Sequence, residues 1–300
     1  MKPCKIPLFI AAVLSTACLM VLISSKAVLA KGKEIVVEVS STEQLGNYFD
    51  SIGYNVAANP DILKAIPRFR FTHIPKNWEE DTSVPLKKSV FFRAGASAIL
   101  QVNESLVHDR QRLSNIKLND MSQKDRQWLN QIMATYKVTE DKASFTDEQL
   151  RELMVRVDAI PPSLALVQSA IESGWGRSRF AKQGNAMFGQ WTTSGGIKAK
   201  GSDARLAAFP DPRESLNAYC LNLNTHPSYA QFRTARAKMR KVNRPLSGTK
   251  LADYLGSYSE KGDEYVELVK GMIERDRLEI ADSAQLAKGP IVVFRPVSKQ

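Results

Sequence analysis

Residues 160–191 read IPPSLALVQSAIESGWGRSRFAKQGNAMFGQW, and the rest of the chain is organised around this stretch. Pro161 and Pro162 suit the first turn of a helix, where no N–H group is needed and φ is already set. The apolar positions that follow recur at helical spacing and cover nearly the whole circumference, which predicts a helix inside a core. They are Leu164, Leu166, Val167, Ala170 and Ile171. Gly174 and Gly176 are expected to end the helix.

Two polar residues interrupt this apolar helix on one face. Gln168 and Glu172 are four positions apart, so their side chains are neighbours. A carboxylate in the last turn of a helix opposes the macrodipole, at about 0.3–1 kcal/mol if exposed, and burial adds a desolvation cost. Both effects favour the protonated form that a general acid needs. The alternative is a Glu172 that is solvated or paired with Arg177 or Arg179.

The segment SAIESGWGRSRFAKQGNAMFGQW, residues 169–191, resembles the active-site signature of bacterial N-acetylglucosaminidases that cut peptidoglycan. Residues 107–278 are similar to the Bax family of such proteins. The resemblance implies a lysozyme-like fold with Glu172 as the catalytic acid. It also implies that Tyr258, in GSYSEKGDEY, lies across the cleft from that acid. Residues 186–189 read Ala-Met-Phe-Gly, where the family more often has Asn-Leu-Phe-Gly.

The function expected from this resemblance is hydrolysis of the β-1,4 bond after N-acetylglucosamine in peptidoglycan. A lytic transglycosylase and a non-catalytic wall-binding protein are the alternatives. Tyr258 is a candidate to hydrogen-bond the N-acetyl group or to hold the reacting sugar. The other candidates for substrate binding are Gln168, Trp175, Phe188, Trp191 and Tyr219, and a plain core position is the alternative for the four aromatic residues.

A second catalytic carboxylate is hard to find in the sequence. Between Trp191 and Phe209, where a β lobe is expected to face the cleft, Asp203 is the only acid. An inverting glycosidase places its two carboxyl groups roughly 6.5–9.5 Å apart with water between them. Asp203 is therefore a candidate, although Asp also favours turns for its own reasons.

The N-terminus predicts a targeting segment. Lys2 and Lys5 precede an apolar run over residues 6–23, and residues 28–30 read Val-Leu-Ala, which suits a cleavage point. We therefore expect residues 1–30 to be a signal peptide and the protein to be exported to the periplasm. The alternative is an uncleaved anchor with transient membrane association, since a run of about 18 residues is at the lower limit for spanning a bilayer.

The chain is basic, with a net charge of +11 that falls to +8 once Lys2, Lys5 and Lys26 leave with the targeting segment. For an exported protein this favours wall polymers or acidic lipid head groups over nucleic acid as partners, or serves only solubility. A basic run after Phe232 predicts either a solvated helix face or a contact to acidic stem peptides. It contains Arg233, Arg236, Lys238, Arg240, Lys241 and Arg244.

Cysteine and histidine usage predicts no disulfide, no metal and no cofactor. Only Cys220 remains after cleavage, on an apolar helical face that suggests a buried small hydrophobe. His73, His108 and His226 show no ligand spacing.

The remaining pattern predicts a mostly helical α+β fold with a small antiparallel hairpin flanking the cleft. Residues 31–90 are punctuated by proline and predict an extended or partly ordered arm. Residues 91–283 form the glucosaminidase-like domain, in which Thr146 and Gln149 predict a capping box. Residues 284–300 are left as a tail without assigned structure.

Overall fold

The computed structural model describes residues 28–29, 34–72, 78, 83–138 and 145–297. The α-helices are α1 (Thr42–Ser51), α2 (Val84–Ser114), α3 (Gln123–Thr135), α4 (Asp147–Arg156), α5 (Pro162–Ser173), α6 (Arg179–Gly184), α7 (Pro212–Thr225), α8 (Ala230–Lys241), α9 (Gly248–Ala252) and α10 (Asp263–Arg275). The strands are β1 (Val28–Leu29), β2 (Glu34–Val39), β3 (Phe69–Phe71), β4 (Trp191–Thr192), β5 (Ile197–Lys198), β6 (Arg205–Leu206) and β7 (Ile291–Pro296). This mostly helical α+β composition is the one that the sequence predicts.

Helix α5 lies at the centre of the core, as predicted. It begins at Pro162 and ends at Gly174, whose left-handed φ of 56° closes the helix. Its apolar side chains from Leu164 to Ala170 are buried on contact with α2, α9 and α10, and Ile171 is half-buried. Burying a side chain such as Leu164 or Val167 contributes about 1.5–3 kcal/mol. The approach of α9 is close enough that a Cβ at Gly248 would lie 2.1 Å from the Ser163 hydroxyl, which explains the glycine.

The N-terminal region differs from the expected extended arm. Residues 34–71 supply β2, α1 and β3, and α2 already begins at Val84, so the predicted boundary at residue 90 falls inside a helix. Strands β2 and β3 both pair in parallel with β7, which comes from the C-terminal tail, in the order β1-β2-β7-β3. The apolar side chains of these strands are buried or half-buried once the strands pair in this sheet. Sequence periodicity missed it because the strands that pair lie more than 200 residues apart.

The targeting segment lies mostly outside the described residues. Val28 and Leu29 form β1, which pairs antiparallel with β2, and cleavage after Ala30 would remove this strand. No helix within the described ranges has the length and apolar character to cross a bilayer.

The predicted antiparallel lobe is a three-stranded sheet in the order β4-β6-β5. It is anchored to α6, because the Phe209 amide donates to the Gly184 carbonyl. Gly196 has a φ of +72°, and a Cβ there would lie 2.2 Å from the Leu206 carbonyl oxygen. This tight turn therefore requires glycine.

The basic run on α8 is only partly a solvated face. Lys238, Lys241 and Arg244 are exposed, but Arg233 and Arg236 are buried. Arg236 donates to backbone carbonyls at the end of α4 and to Asn224, and lies beside the buried Asp158 carboxylate. The solvated and stem-peptide hypotheses are both wrong for these two arginines. Arg236 holds α8 to the segment before α5, and Arg233 donates to the carbonyls of Leu223 and His226 at the end of α7.

Two local predictions are confirmed. Thr146 and Gln149 form the capping box of α4. Cys220 is buried, and burial raises the pKa of its thiol to about 12, which makes it a poor nucleophile. In addition, Asp211 caps α7 by accepting from the Glu214 amide at 3.1 Å.

Candidate active site

Glu172 occupies the last turn of α5, two positions before the left-handed Gly174. Its side chain is half-buried, and burial raises the pKa of the carboxyl above its usual value. The helix C-terminus also disfavours a negative charge at this place. An acid with a raised pKa keeps its proton at higher pH, which is what general-acid catalysis requires.

Helix α10 supplies the group that contacts this acid. The Tyr265 hydroxyl donates a hydrogen bond to Glu172 Oε1 at 3.0 Å. That bond favours the carboxylate and lowers the pKa of Glu172, so it opposes the larger effect of burial.

Gln168 and Tyr219 lie beneath the surface and not on it. Gln168 is fully buried, its Nε2 donates to the Tyr265 hydroxyl oxygen at 3.0 Å, and its Oε1 accepts from the Tyr219 hydroxyl at 2.6 Å. Their assignment as substrate-binding residues is therefore corrected: a buried amide and a buried phenol cannot contact a sugar in this arrangement. They belong to a hydrogen-bond chain that ends on Glu172.

Aromatic rings form one wall beside Glu172. The half-buried Tyr258 ring stacks on Tyr265, with centroids 5.5 Å apart and planes 13° apart. Burial, together with the charges of Tyr265 and Glu172, raises the pKa of Tyr258 well above its usual value. Tyr229 packs 6.1 Å from Tyr258, and burial raises its pKa, with a further contribution from the Glu172 charge. The phenol of Tyr258 therefore lies within electrostatic range of the acid and stays protonated.

The other aromatic candidates occupy different environments. Phe188 is buried and stacks on Tyr219 with ring centroids 4.0 Å apart, so it packs against the site and is not accessible to a sugar. The Trp175 ring packs edge-on against Phe92 of α2 at 5.2 Å, and Lys88 lies over it at 4.8 Å. Trp191 is 68% exposed at the start of the β lobe, which leaves its ring free to contact a sugar.

Asp203 lies on the turn between β5 and β6. Its side chain is fully exposed and pairs with Lys198 Nζ at 2.7 Å. No contact joins it to Glu172 or to the tyrosines within the described part of the chain. This position favours the interpretation of Asp203 as a turn residue over its interpretation as a second catalytic carboxylate.

An apolar cavity of about 100 Å³, lined in part by Phe188, lies between α2, α5 and α7. Its lining carries no titratable side chain, and its one hydroxyl, on Ser169, already bonds the Leu166 carbonyl. This cavity has no group for acid–base chemistry, so Glu172 marks the candidate site. Among the residues described, no group of three His, Cys, Asp or Glu side chains is placed to hold a metal ion.

Tyr265 and Tyr229 are the site residues that sequence reasoning missed. Tyrosine hydroxyls in a core need a partner, so a tyrosine on the buried stripe of α10 signals a polar neighbour. The pattern does not say which neighbour, because Glu172 is 93 positions away.

Comparison with known proteins identifies the class of this domain. Residues 148–278 match the glucosaminidase family, described as mannosyl-glycoprotein endo-beta-N-acetylglucosaminidase. The matched region contains Glu172, the three residues of its hydrogen-bond chain and Tyr258. The protein thus carries a glucosaminidase-family domain.

The particular family follows from a longer similarity. The chain is 33% identical over 199 residues to Protein bax of Escherichia coli (strain K12), a match that covers 65% of this chain and 72% of the relative. The chain belongs to the Bax family of glucosaminidase-domain proteins, as its signature predicts.

A solved structure shows a weaker likeness. The catalytic domain of the autolysin Auto from Listeria monocytogenes is 18% identical, with a TM-score of 0.33, and the match covers 58% of this chain and 96% of that one. At this score the family assignment depends on the sequence similarity alone.

Proposed function

We propose that this protein hydrolyses the β-1,4 glycosidic bond after N-acetylglucosamine in peptidoglycan, with Glu172 as the general acid. The observation that carries the proposal is the half-buried Glu172 carboxyl. Burial raises its pKa, and it lies in the region that matches the glucosaminidase family. The proposed substrate follows from the signature around this residue.

In the proposed reaction, the Glu172 proton moves to the glycosidic oxygen as the bond from that oxygen to the sugar C1 breaks. Positive charge develops on C1 in an oxocarbenium-like transition state. Water then adds to C1, and a water proton restores the acid. The positive charge on C1 must be stabilised. We propose that the N-acetyl group of the reacting sugar stabilises it and that Tyr258 positions this group next to C1.

A reaction with one protein carboxyl fits the exposed, Lys198-paired position of Asp203. The acetamido oxygen of the substrate would then bond to C1 as the glycosidic oxygen leaves with the Glu172 proton. Water would open the resulting oxazolinium ring by adding to C1 and would return a proton to Glu172. The same observation keeps a lytic transglycosylase as the second candidate, because that reaction closes the C6 hydroxyl of muramic acid onto C1 and needs no water-activating carboxylate.

Product analysis separates these two reactions. We expect the purified protein to release fragments from cell-wall peptidoglycan that end in reducing N-acetylglucosamine, which borohydride reduction and mass spectrometry identify. Fragments that end in 1,6-anhydro-N-acetylmuramic acid would replace the hydrolase with the transglycosylase. Retention on the wall without any released fragment would favour a binding protein.

We also propose export to the periplasm, where peptidoglycan is accessible, with residues 1–30 as the targeting segment. Fractionation of cells that produce the full chain tests this location. Recovery in the cytoplasm would contradict it.

Tyr258→Phe is expected to lower turnover about tenfold, the effect of one hydrogen bond to substrate, and to leave the melting temperature unchanged. Within the described residues the Tyr258 hydroxyl bonds no protein group, and a phenylalanine ring preserves the stack on Tyr265. Steady-state kinetics and thermal melts measure the two effects. A parallel loss of stability and activity would return Tyr258 to a packing role.

A further inference from the structure

We propose that Tyr219, Gln168 and Tyr265 form a one-directional hydrogen-bond chain that keeps the acidic proton of Glu172 on Oε2, the carboxyl oxygen that no described protein group hydrogen-bonds. The inference rests on the proposed function, in which Glu172 is the proton donor. Its three members come from α7, α5 and α10, so the tertiary fold assembles it.

The direction of the chain follows from the chemistry of the Gln168 amide. Its Oε1 can only accept, and it accepts from the Tyr219 hydroxyl at 2.6 Å. Its Nε2 can only donate, and it donates to the Tyr265 oxygen at 3.0 Å. Because Tyr265 accepts on that side, its single proton is directed at Glu172 Oε1, 3.0 Å away.

This direction determines which carboxyl oxygen is protonated. When Glu172 is neutral, a proton on Oε1 would compete with the Tyr265 proton for the same 3.0 Å gap. The proton therefore resides on Oε2. In the described part of the chain no protein group hydrogen-bonds Oε2, so this oxygen is available to protonate a glycosidic oxygen.

Burial makes the chain rigid. Gln168, Tyr219 and Tyr265 are almost inaccessible to solvent, and their hydroxyl and amide groups are satisfied by one another. A buried polar group left without a partner destabilises the fold, so each link holds the next in place. The stack of Tyr219 on Phe188 and that of Tyr265 on Tyr258 fix the two rings.

Among the described residues, few titratable groups interact with Glu172. Tyr265 hydrogen-bonds it from α10, while Tyr258 and Tyr229 interact with its charge from the turns before α10 and α8. The pH response of Glu172 is therefore governed by burial and by the Tyr265 bond.

Tyr265→Phe tests the proposal, because it removes the donor to Oε1 and keeps the ring. Loss of this bond destabilises the carboxylate, so the pKa of Glu172 is expected to rise. Carbon-13 NMR of the glutamate carboxyls, with the Glu172 signal assigned by its absence in Glu172→Gln, measures that titration without any need for activity. The descending basic limb of the pH–rate profile should move to higher pH, and the plateau turnover should fall about tenfold as the proton becomes free to occupy either oxygen.

Two further variants separate positioning from packing. Tyr258→Phe removes a neighbouring hydroxyl that does not bond Glu172, so the carboxyl titration should stay where it is. Tyr219→Phe removes the first donor, and it should move the titration in the same direction by less. If Tyr265→Phe does not fold, the carboxyl titration of Tyr219→Phe tests the proposal in its place.

The proposed hydrogen-bond chain would be wrong if the Glu172 titration were unchanged in folded Tyr265→Phe. If that variant does not fold, an unchanged titration in Tyr219→Phe would have the same meaning. Activity that persists in Glu172→Gln would instead overturn the proposed function, while the NMR titration would still report on the chain. The two failures are therefore distinguishable.

Discussion

Glu172→Gln is expected to reduce turnover of peptidoglycan by about a thousandfold, within the range measured for loss of a general acid. The amide keeps the size of the side chain and its acceptor oxygen for the Tyr265 hydroxyl, but it has no acidic proton to give. Release of muropeptides, followed by mass spectrometry over a fixed time course, measures the loss. The basic limb of the pH–rate profile should disappear with the carboxyl.

The matched control is Asp203→Asn, which makes the same chemical change at the exposed turn. It should retain most of the activity, because the Asp203 side chain is fully exposed and pairs with Lys198. Equal muropeptide release by the wild type and Glu172→Gln would remove Glu172 from the reaction. Loss of activity in a folded Asp203→Asn would identify Asp203 as the second carboxylate of a two-carboxyl mechanism.

Stability provides an independent check on Glu172. Because burial raises its pKa in the folded state, the carboxyl stabilises the fold fully below the unfolded pKa and loses this contribution as pH rises through the folded pKa. Glu172→Gln should therefore melt at a higher temperature than wild type at neutral pH, with the difference vanishing in acid. A lower melting temperature at neutral pH would show that the charged carboxylate is stabilised by the fold.

The largest effect on stability is expected from Asp158→Asn, which should lower the free energy of unfolding by about 3–5 kcal/mol. Asp158 is 1% exposed and lies beside Arg236, which is fully buried, while Arg240 contacts it at 2.8 Å. The substitution leaves the buried Arg236 charge without its counter-charge. Urea unfolding followed by circular dichroism measures the change.

The pH dependence of this effect has a defined sign. Burial alone would raise the pKa of Asp158, but the charges of Arg236, Arg240 and Arg110 outweigh it, so the pKa is lowered. The stabilisation is therefore present above the unfolded pKa of the carboxyl and is lost as pH falls through the folded value. The gap between wild type and Asp158→Asn should narrow in acid.

Asp61→Asn is the control for this second prediction, because it removes one charge from the exposed ion pair with Lys64. No measurable change in stability is expected there. If Asp158→Asn unfolds at the same urea concentration as wild type, the buried cluster does not hold α8 to the segment before α5.

The sequence by itself determined the elements whose signals are local. Pro161, Pro162 and Gly174 predicted where α5 begins and ends, and the spacing of its apolar residues predicted that it is buried. Thr146 and Gln149 predicted the start of α4. Each signal lies within a few residues of the element it describes, because capping and helical periodicity act over one or two turns. The Glu172 signature, with the family it resembles, is local in the same sense.

Only the tertiary structure decided which distant segments meet. It pairs β7 with β2 and β3, which turns a predicted arm and tail into one sheet. It also buries Arg236 in a run that resembles a solvated face, and it places Tyr265 and Tyr219 around Gln168. The physical reason is that periodicity shows which face of a segment avoids water and leaves open which partner covers it. The partners of Glu172 and Asp158 are therefore set by packing across the whole domain.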